Sequence, residues 1–565
     1  MTGRAGTRIP LTICVGLLGI AVAYPLGILF LQSVFPEILG GSFEGFMDAY
    51  RRIGETPEMV RLIRNSLAWA GATTGVAWIF GIPCGYLLAR TDLPGKLWAR
   101  LSLLVPIMTP PYIAALSYIL LMQSGGFGDT LTGGLPEGLR AWFFSFWGVT
   151  LVMALSSFGY VALAVEATLS EIPRRFEDAA RLLGASWHQT LRRILLPLLL
   201  PAILNSGLLV FLEALSNFGV PAVLGSRSNL PLLPAEIFYL VTSWPVDLAL
   251  ATSLSSLLCL FALVSLYGSR WLADAFGGGA YRPGAMSVQR LGPLWTLAGW
   301  GFIGGLFVLS SGLPYAAMIL TSLAGSWGEG WPELTMAHYA TLFEPGSRGF
   351  EAILTSLWLG VAAASVCVVA GSYIAYVNIR STGWLQSALE GLATLPRVIP
   401  KIVIAVALIL AWNAPWVPID LYNTAFMLLL AYVVVYITDT LNYSNATLWG
   451  MSEHLESAAE ILGAGRFTVF TRIVLPRLRP ALLAAWLTTF MVCMRELVAS
   501  LMLMPPGMDT TATYIFSQFE QGDISLAMAM ATVTIVISTV VLALFTLRRS
   551  HGARAGARAL GEVEG

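Results

Sequence analysis

Charge is scarce in this chain. Of its 565 residues, 11% are Asp, Glu, Lys or Arg, where soluble domains carry about 25%. Lysine is nearly missing: Lys96 and Lys401 are the only two, and arginine supplies the other positive charges. Net charge is zero, so nothing points to a nucleic-acid partner. The five cysteines, Cys14, Cys84, Cys259, Cys367 and Cys493, form no CxxC pair and lie in apolar segments. They read as buried thiols packing as small apolar groups. No G-x-x-x-x-G-K-[ST] loop occurs, so the chain has no means of its own to cradle nucleotide phosphates. What is present is hydrophobic: 56% of the residues, with a mean hydropathy of +0.74. A chain this long and this poor in charge is an integral membrane protein.

A span needs about 20 mainly apolar residues. Windows that qualify lie near 11–35, 66–89, 101–122, 143–168, 198–222 and 247–269, then 292–322, 354–377, 388–411, 423–444, 480–504 and 525–547. The expected fold is therefore all-α, with about twelve transmembrane helices. The first window is too long for the core of a signal peptide, and no small-residue cleavage site follows it, so it reads as an uncleaved span.

Basic residues alternate along these windows. Arg4 and Arg8, then Arg90, Lys96 and Arg100, then Arg174 to Arg193 fall on one side. Arg270, Arg282 and Arg290, then Arg380, Arg466 to Arg479 and Arg548 to Arg558 continue the series. The positive-inside rule makes that side cytoplasmic, with both termini inside. Arg51, Arg52, Arg61 and Arg64 run against the rule in a stretch that reads as an external amphipathic helix, and Arg140, Arg227 and Arg348 fall outside singly.

The chain repeats itself. "LVPIMTPPYIAAL" at 104–116 matches "TLPRVIPKIVIAV" at 394–406, with Pro106 over Pro396 and Pro110 over Pro400, an offset of 290. A later match has an offset of 279: Gly184 over Gly463, Ile194 over Ile473 and Pro197 over Pro476. The Gly-rich loop at 123–138 absorbs the difference. Each half has six spans in the same orientation, a parallel repeat. The expected organisation is a first repeat at 1–273, a cytoplasmic linker at 274–290, a second repeat at 291–550 and a cytoplasmic tail at 551–565.

The most informative stretch is "EDAARLLGASWHQTLRRILLP" at 177–197, with its relative "ESAAEILGAGRFTVFTRIVLP" at 456–476. In the first copy Phe176, Ala179, Ala180, Leu183 and Leu191 fall at helical spacing. Gly184 and Gly463 then interrupt, where two short helices meet or a partner approaches closely. One copy alone fits a helix lying on lipid headgroups. Two copies in register favour paired docking sites for a two-fold partner.

The spacing A-A-x3-G-x9-I-x-L-P is met by Ala179, Ala180, Gly184, Ile194, Leu196 and Pro197, and again by Ala458, Ala459, Gly463, Ile473, Leu475 and Pro476. It resembles the EAA loop of permease subunits of bacterial ABC importers, and the likeness covers nearly the whole chain as two fused permease units. Where the family has Glu, this chain has Asp178 and Ser457, each preceded by a Glu, Glu177 and Glu456. The resemblance implies that each loop forms a coupling helix seated in an ATPase subunit. It implies two copies of that separate ATPase, which bind the ATP and Mg, and a solute-binding protein that delivers substrate. The chain itself would be a transporter subunit, not an enzyme, in the bacterial inner membrane, working by alternating access. A secondary transporter is the rival reading, but it has no need of two such loops. A channel is a more distant one.

Charges inside spans are costly and mark pathways or mutual pairs. The candidates are Glu213, Asn217, Arg397, Lys401, Asp439, Arg495 and Glu496. Arg397 and Lys401, four apart, are expected on one helix face. Either Glu496 or Glu213 neutralises one of these bases, or the oxygens serve a hard cation and the bases an anion. Glu166 and Glu390 read as snorkelling near the span ends. No intramembrane His, Cys or Tyr cluster has metal-ligand spacing, so no stable metal site is expected. The segments "LEALSNFGVPAVLG" and "LPRVIPKIV" most resemble ferric-iron importer permeases, which implies Fe(III) as cargo. Thiamine, phosphonate and polyamine importers are the alternatives within the same architecture.

Overall fold

The computed structural model describes residues 8–173, 175–276, 290–325, 333–452 and 454–541. Arg4, Arg174, Arg282, Glu453, Arg548 to Arg558, nearly all of the expected linker and the whole of the expected tail lie outside the described residues. Among the described residues the chain is helical, and the one β interaction is an isolated bridge between Ala324 and Leu334.

In the first half, α1 is Ile9–Val34, α2 Pro57–Arg90, α3 Lys96–Met108, α4 Pro111–Met122, α5 Phe146–Glu171, α6 Arg175–Leu182, α7 Trp187–Ser216 and α8 Leu248–Ser269. In the second half, α9 is Pro293–Leu323, α10 Arg348–Ile379, α11 Trp384–Val398, α12 Lys401–Trp412, α13 Ala425–Leu448, α14 His454–Ile461, α15 Leu475–Cys493 and α16 Ile524–Val541. The repeat holds element by element: α4 and α12 begin 290 residues apart, and α5 and α13 begin 279 apart.

Among the described residues, nine helices are long and apolar enough to cross a membrane, and two bent pairs bring the number to eleven. The remaining expected span, 480–504, is not one helix. It falls on the 19-residue α15, whose first turns carry Arg477 and Arg479, then on a break, then on the short helix Val498–Leu503. The expected spans at 101–122 and 388–411 are broken too, bent by 92° between α3 and α4 and by 115° between α11 and α12. Pro110 and Pro400 sit at the breaks as N-caps, whereas Pro106 and Pro396 stay inside helices. The residue before a proline is pushed out of the helical region, and Thr109 and Ile399 are indeed extended.

Four further prolines bend the chain more gently. Pro25, Pro197, Pro314 and Pro476 each follow a π-helical turn, at Gly19–Ala23, Leu191–Leu195, Val308–Gly312 and Phe470–Val474. Proline lacks an N–H, so the carbonyl one turn earlier loses its partner. A wider turn takes up that mismatch.

The first span of each half packs on the other half: α1 lies on α11 and α12, and α9 on α3 and α4. Hydrogen bonds tie these crossings. Tyr24 Oη donates to the Ala411 carbonyl at 3.2 Å, Tyr315 Oη meets Thr109 Oγ1 at 2.7 Å, and Tyr118 donates to the Leu309 carbonyl. Within each half, α2 packs on α5 and α10 on α13. Small residues permit the close approach, which is what drives association where lipid is as apolar as leucine. A Cβ on Gly85 would lie 2.6 Å from the Ala162 carbonyl oxygen, and one on Gly81 2.6 Å from Val161 Cβ. In the second half Gly371 meets Thr440 in the same way, at 3.0 Å, and Ala375 stands where the first half has Gly85.

The basic stretch expected as one external amphipathic helix divides into Asp48–Glu55 and the first turns of α2. The Gly-rich loop after α4 is organised by Asp129. Its carboxylate accepts the Leu135 and Gly125 amides at 2.7 and 2.8 Å and pairs with Arg140 at 2.7 Å. Those amides, with Arg140, hold its carboxyl below the usual range.

Gly85→Leu is expected to abolish the folded, monodisperse species in fluorescence-detected size-exclusion chromatography, since overpacking costs about 1–3 kcal/mol and the clash here is with backbone. Gly75→Leu on the same helix, where a Cβ meets nothing, should leave that peak intact.

Candidate functional site

Two regions gather the residues singled out in the sequence: a pair of loops on one face of the molecule, and a cavity between the halves. The loops are built alike. α6 runs to Leu182 and α14 to Ile461, and Gly184 and Gly463 then take φ of +79° and +87°. A left-handed residue after a helix is nearly always glycine, because a side chain there is strained. The amides of Ala185 and Ala464 reach back to the carbonyls of Ala180 and Ala459 at 2.9 and 3.0 Å. A second short helix follows each turn, Trp187–Thr190 and Arg466–Val469. In the first copy it opens on a capping box between Ser186 and Gln189.

The acidic residues divide by face. Glu177 and Glu456 point inward and are buried. Arg90, the last residue of α2, places Nε 2.9 Å from Glu177 Oε1 and donates from Nη2 to the Ile172 carbonyl at 2.9 Å. Arg380, just past α10, grips Glu456 with two nitrogens at 2.6 and 3.2 Å, and Tyr376 bonds the same carboxylate. The two arginines stand 290 residues apart and the two glutamates 279 apart, so this buried pair is part of the repeat. Asp178, Ala179, Ser457 and Ala458 face outward, Ala180 is buried and Ala459 half-buried, and Pro197 and Pro476 are exposed where the spans begin.

Beside them the loops bare large aliphatic side chains. Leu182 and Leu183 are 89% and 88% exposed, and Ile461 and Leu462 are 85% and 87% exposed. Leu183, expected on a packed stripe, is therefore free. The helix turns its inward side by burying Glu177 against Arg90, and the aliphatic pair is left outside. Composition alone, which puts leucine inside, does not foretell this.

The cavity has a volume of about 460 Å³ and is lined by both halves. Glu213, Asn217, Arg397, Lys401, Arg495 and Glu496 all line it, with Asp439. So do Tyr112, Tyr160 and Tyr436, from α4, α5 and α13. These tyrosines have no common spacing and were not legible as a group. Among the described residues no three His, Cys, Asp or Glu are gathered closely enough to hold a metal ion.

Arg397 and Lys401 do not share a helix face, because the break at Pro400 separates them. Arg397 lies in the last turn of α11 and Lys401 opens α12. Lys401 Nζ donates to Glu496 Oε2 at 2.7 Å and to Tyr436 Oη at 3.0 Å, and Tyr436 donates to the same carboxylate. Glu496 Oε1 also accepts the amides of Val498 and Ala499 at 3.1 and 3.4 Å. Asn217, its counterpart in the repeat, accepts the Val220 amide at 3.0 Å. Both residues therefore cap the helix that follows a break. Glu166 does not snorkel: it is buried and pairs with Arg100 at 2.5 Å. Glu390 is exposed and bonds Gln386.

A family model described as "Binding-protein-dependent transport system inner membrane component" matches this chain twice, at 81–276 and 367–550. The chain is 27% identical over 503 residues to the ferric transport system permease protein FbpB of Actinobacillus pleuropneumoniae, a match covering 86% of this chain and 71% of that protein. It is also 27% identical over 457 residues to a putative ferric transport system permease protein, FbpB 1, of Haemophilus influenzae, covering 79% and 70%. A putative 2-aminoethylphosphonate transport system permease protein, PhnV, of Salmonella choleraesuis is 25% identical over 259 residues, 44% of this chain and 95% of that protein.

Glu177→Ala and Glu456→Ala each strand a buried guanidinium, a loss of about 3–5 kcal/mol. Both should lower the unfolding midpoint in detergent, read by tryptophan fluorescence. Asp178→Ala and Ser457→Ala, at exposed positions, should stay within about 0.5 kcal/mol of the parent.

Proposed function

The chain belongs to the family of binding-protein-dependent transport system inner membrane components, and we propose that it is a membrane-spanning part of an ATP-driven importer of ferric iron. The observation that carries this reading is the pair of bare aliphatic patches, Leu182–Leu183 and Ile461–Leu462, at equivalent places in two repeats. Large apolar side chains exposed on loops and rimmed by charge mark docking surfaces, and two equivalent patches suit a two-fold partner. The partner is an ATPase in two copies, which binds ATP and Mg. Its outer contacts on each loop are Asp178 with Ala179, and Ser457 with Ala458, while Glu177 and Glu456 hold the helices from inside.

The loop face is then cytoplasmic, and with it both termini. A solute-binding protein delivers cargo at the opposite face. Closing the ATPase pair draws the two loops together. Each loop is tied through its buried ion pair to α2 or α10, so the halves rotate about the cavity between them. This is a rigid-body route to alternating access. The chain contributes no catalytic group of its own to ATP cleavage. Ferric iron as cargo is supported by the names of the relatives that align with most of the chain. An organic phosphonate is the second reading, supported by half-length relatives named for 2-aminoethylphosphonate.

Replacing Leu182 and Leu183 by Asp, or Gly184 and Gly463 by Trp, should remove the ATPase from the co-purified complex while the chain itself stays folded. In vesicles holding the chain, its ATPase and its binding protein, ⁵⁵Fe should accumulate only with ATP. Flux without ATP, or ATPase retained by both variants, would overturn the proposal.

A further inference from the structure

The cavity contains donors with nothing to donate to. Lys401 is satisfied by Glu496 and Tyr436. Arg495 is not satisfied: among the described residues its guanidinium makes no hydrogen bond or ion pair, though it carries five N–H donors. The groups it interacts with include the phenols of Tyr112, Tyr160 and Tyr436, and phenols are weak acceptors beside a carboxylate. Tyr112 is only 4% exposed, and its hydroxyl has no partner either. Arg397 lines the same cavity and likewise makes no side-chain hydrogen bond or ion pair among the described residues. Arg495 is half-buried and Arg397 is open to the cavity, and a guanidinium without a counter-charge inside a span marks a pathway or a ligand. Two guanidiniums without a hydrogen-bonded carboxylate among the described residues, beside a buried phenol, call for an acceptor with several oxygens and negative charge.

We propose that Arg495, Arg397 and the Tyr112 hydroxyl form an oxyanion subsite in the central cavity, so that the cargo crosses carrying an oxyanion rather than as a bare cation. This rests on the reading of the cavity as the pathway. The remaining free groups agree with it. Glu213 and Asp439 line the same space, make no ion pair within 4 Å among the described residues, and suit the cationic part of such a cargo. Three bases and three carboxylates leave the cavity neutral, so a neutral or zwitterionic species meets opposite charge on both of its ends. A bare trivalent cation would face Arg495 with no carboxylate paired to it. The oxyanion has two sources, an anion bound to the ferric ion or a free organic or inorganic oxyanion.

The test uses the detergent-purified full chain and inorganic phosphate, with chloride at equal ionic strength as the control. Phosphate should raise the unfolding midpoint of the parent and of Arg64→Gln, an exposed position outside the cavity. Phosphate affinity should fall about tenfold or more in Arg495→Gln, as expected for losing a charge-assisted contact. It should fall less in Arg495→Lys, and measurably in Tyr112→Phe, which keeps the ring. Phosphate no better than chloride, or Arg495→Gln and Tyr112→Phe both binding like the parent, would overturn the subsite. Vesicles with both partners then distinguish the sources. Joint accumulation of ⁵⁵Fe and ³²P-phosphate assigns the anion to the metal ion, and ³²P alone assigns it to a free oxyanion. ATP-driven iron uptake without phosphate binding would sink the subsite and leave the importer standing. Phosphate binding without ATP-driven uptake would do the reverse.

Discussion

A backbone amide or carbonyl without a partner inside a membrane costs several kcal/mol, so a spanning helix is broken only where protein or a polar cavity supplies one. This chain breaks four spans, and the breaks meet. They fall at Thr109–Pro110, Asn217–Phe218, Ile399–Pro400 and Met494–Leu497, and residues of all four line one cavity. The caps come from inside it. Asn217 takes the Val220 amide, and Glu496 takes those of Val498 and Ala499. A buried carboxylate needs a counter-charge in turn, which Lys401 provides from the first residue of α12. The chemistry of the cavity thus begins as a solution to the breaks: capping brings the carboxylate, the carboxylate brings the lysine, and Tyr436 completes the set.

The skeleton is duplicated but its charges are not. Pro111 stands where the second half has Lys401, Ser157 where it has Tyr436, Ser216 where it has Arg495, and Ile107 where it has Arg397. Apart from Glu213, the charged lining comes from the second half. Helix packing tolerates this, because the close helix contacts of the repeat are made by small residues that do not touch the cavity, Gly81 and Gly371 among them. The two halves can therefore share one fold while only one of them carries the ionic lining.

Much of the architecture was legible beforehand, for physical reasons. Apolar windows of the right length, two offsets shared by many residues, and glycine and proline at fixed places are strong local signals. Five of the six candidate residues, all but Asn217, are conspicuous as charge in an apolar window, and all six line one cavity. Three things were hidden. Spans at 101–122, 198–222, 388–411 and 480–504 read as continuous because hydropathy cannot see a break of two to four residues. Arg397 and Lys401 looked like neighbours on a helix for the same reason. Tyr112, Tyr160 and Tyr436 come from three helices and meet only after folding. The direction of Glu177 was also out of reach, since its partner Arg90 lies 87 positions back along the chain.

That last pairing decides how a force on the loops is transmitted. A helix of eight residues such as α6 is marginal alone, because a costly nucleus is spread over few bonds. Its orientation must come from outside. On its inner side Arg90 holds Glu177, and in the other half Arg380 holds Glu456 with two nitrogens and help from Tyr376. Exposed ion pairs of this kind contribute little, but buried ones resist separation because each charge is stranded when the other leaves. The loop therefore cannot roll freely beneath a partner seated on Leu182 and Leu183. It moves together with the end of α2, and α2 is locked along its length to α5 by Gly81 and Gly85. Tyr160, on that same α5, lines the cavity. Under the proposed docking, a push at the aliphatic patch would arrive at the cavity as a movement of the whole helix pair, through one ion pair in each half.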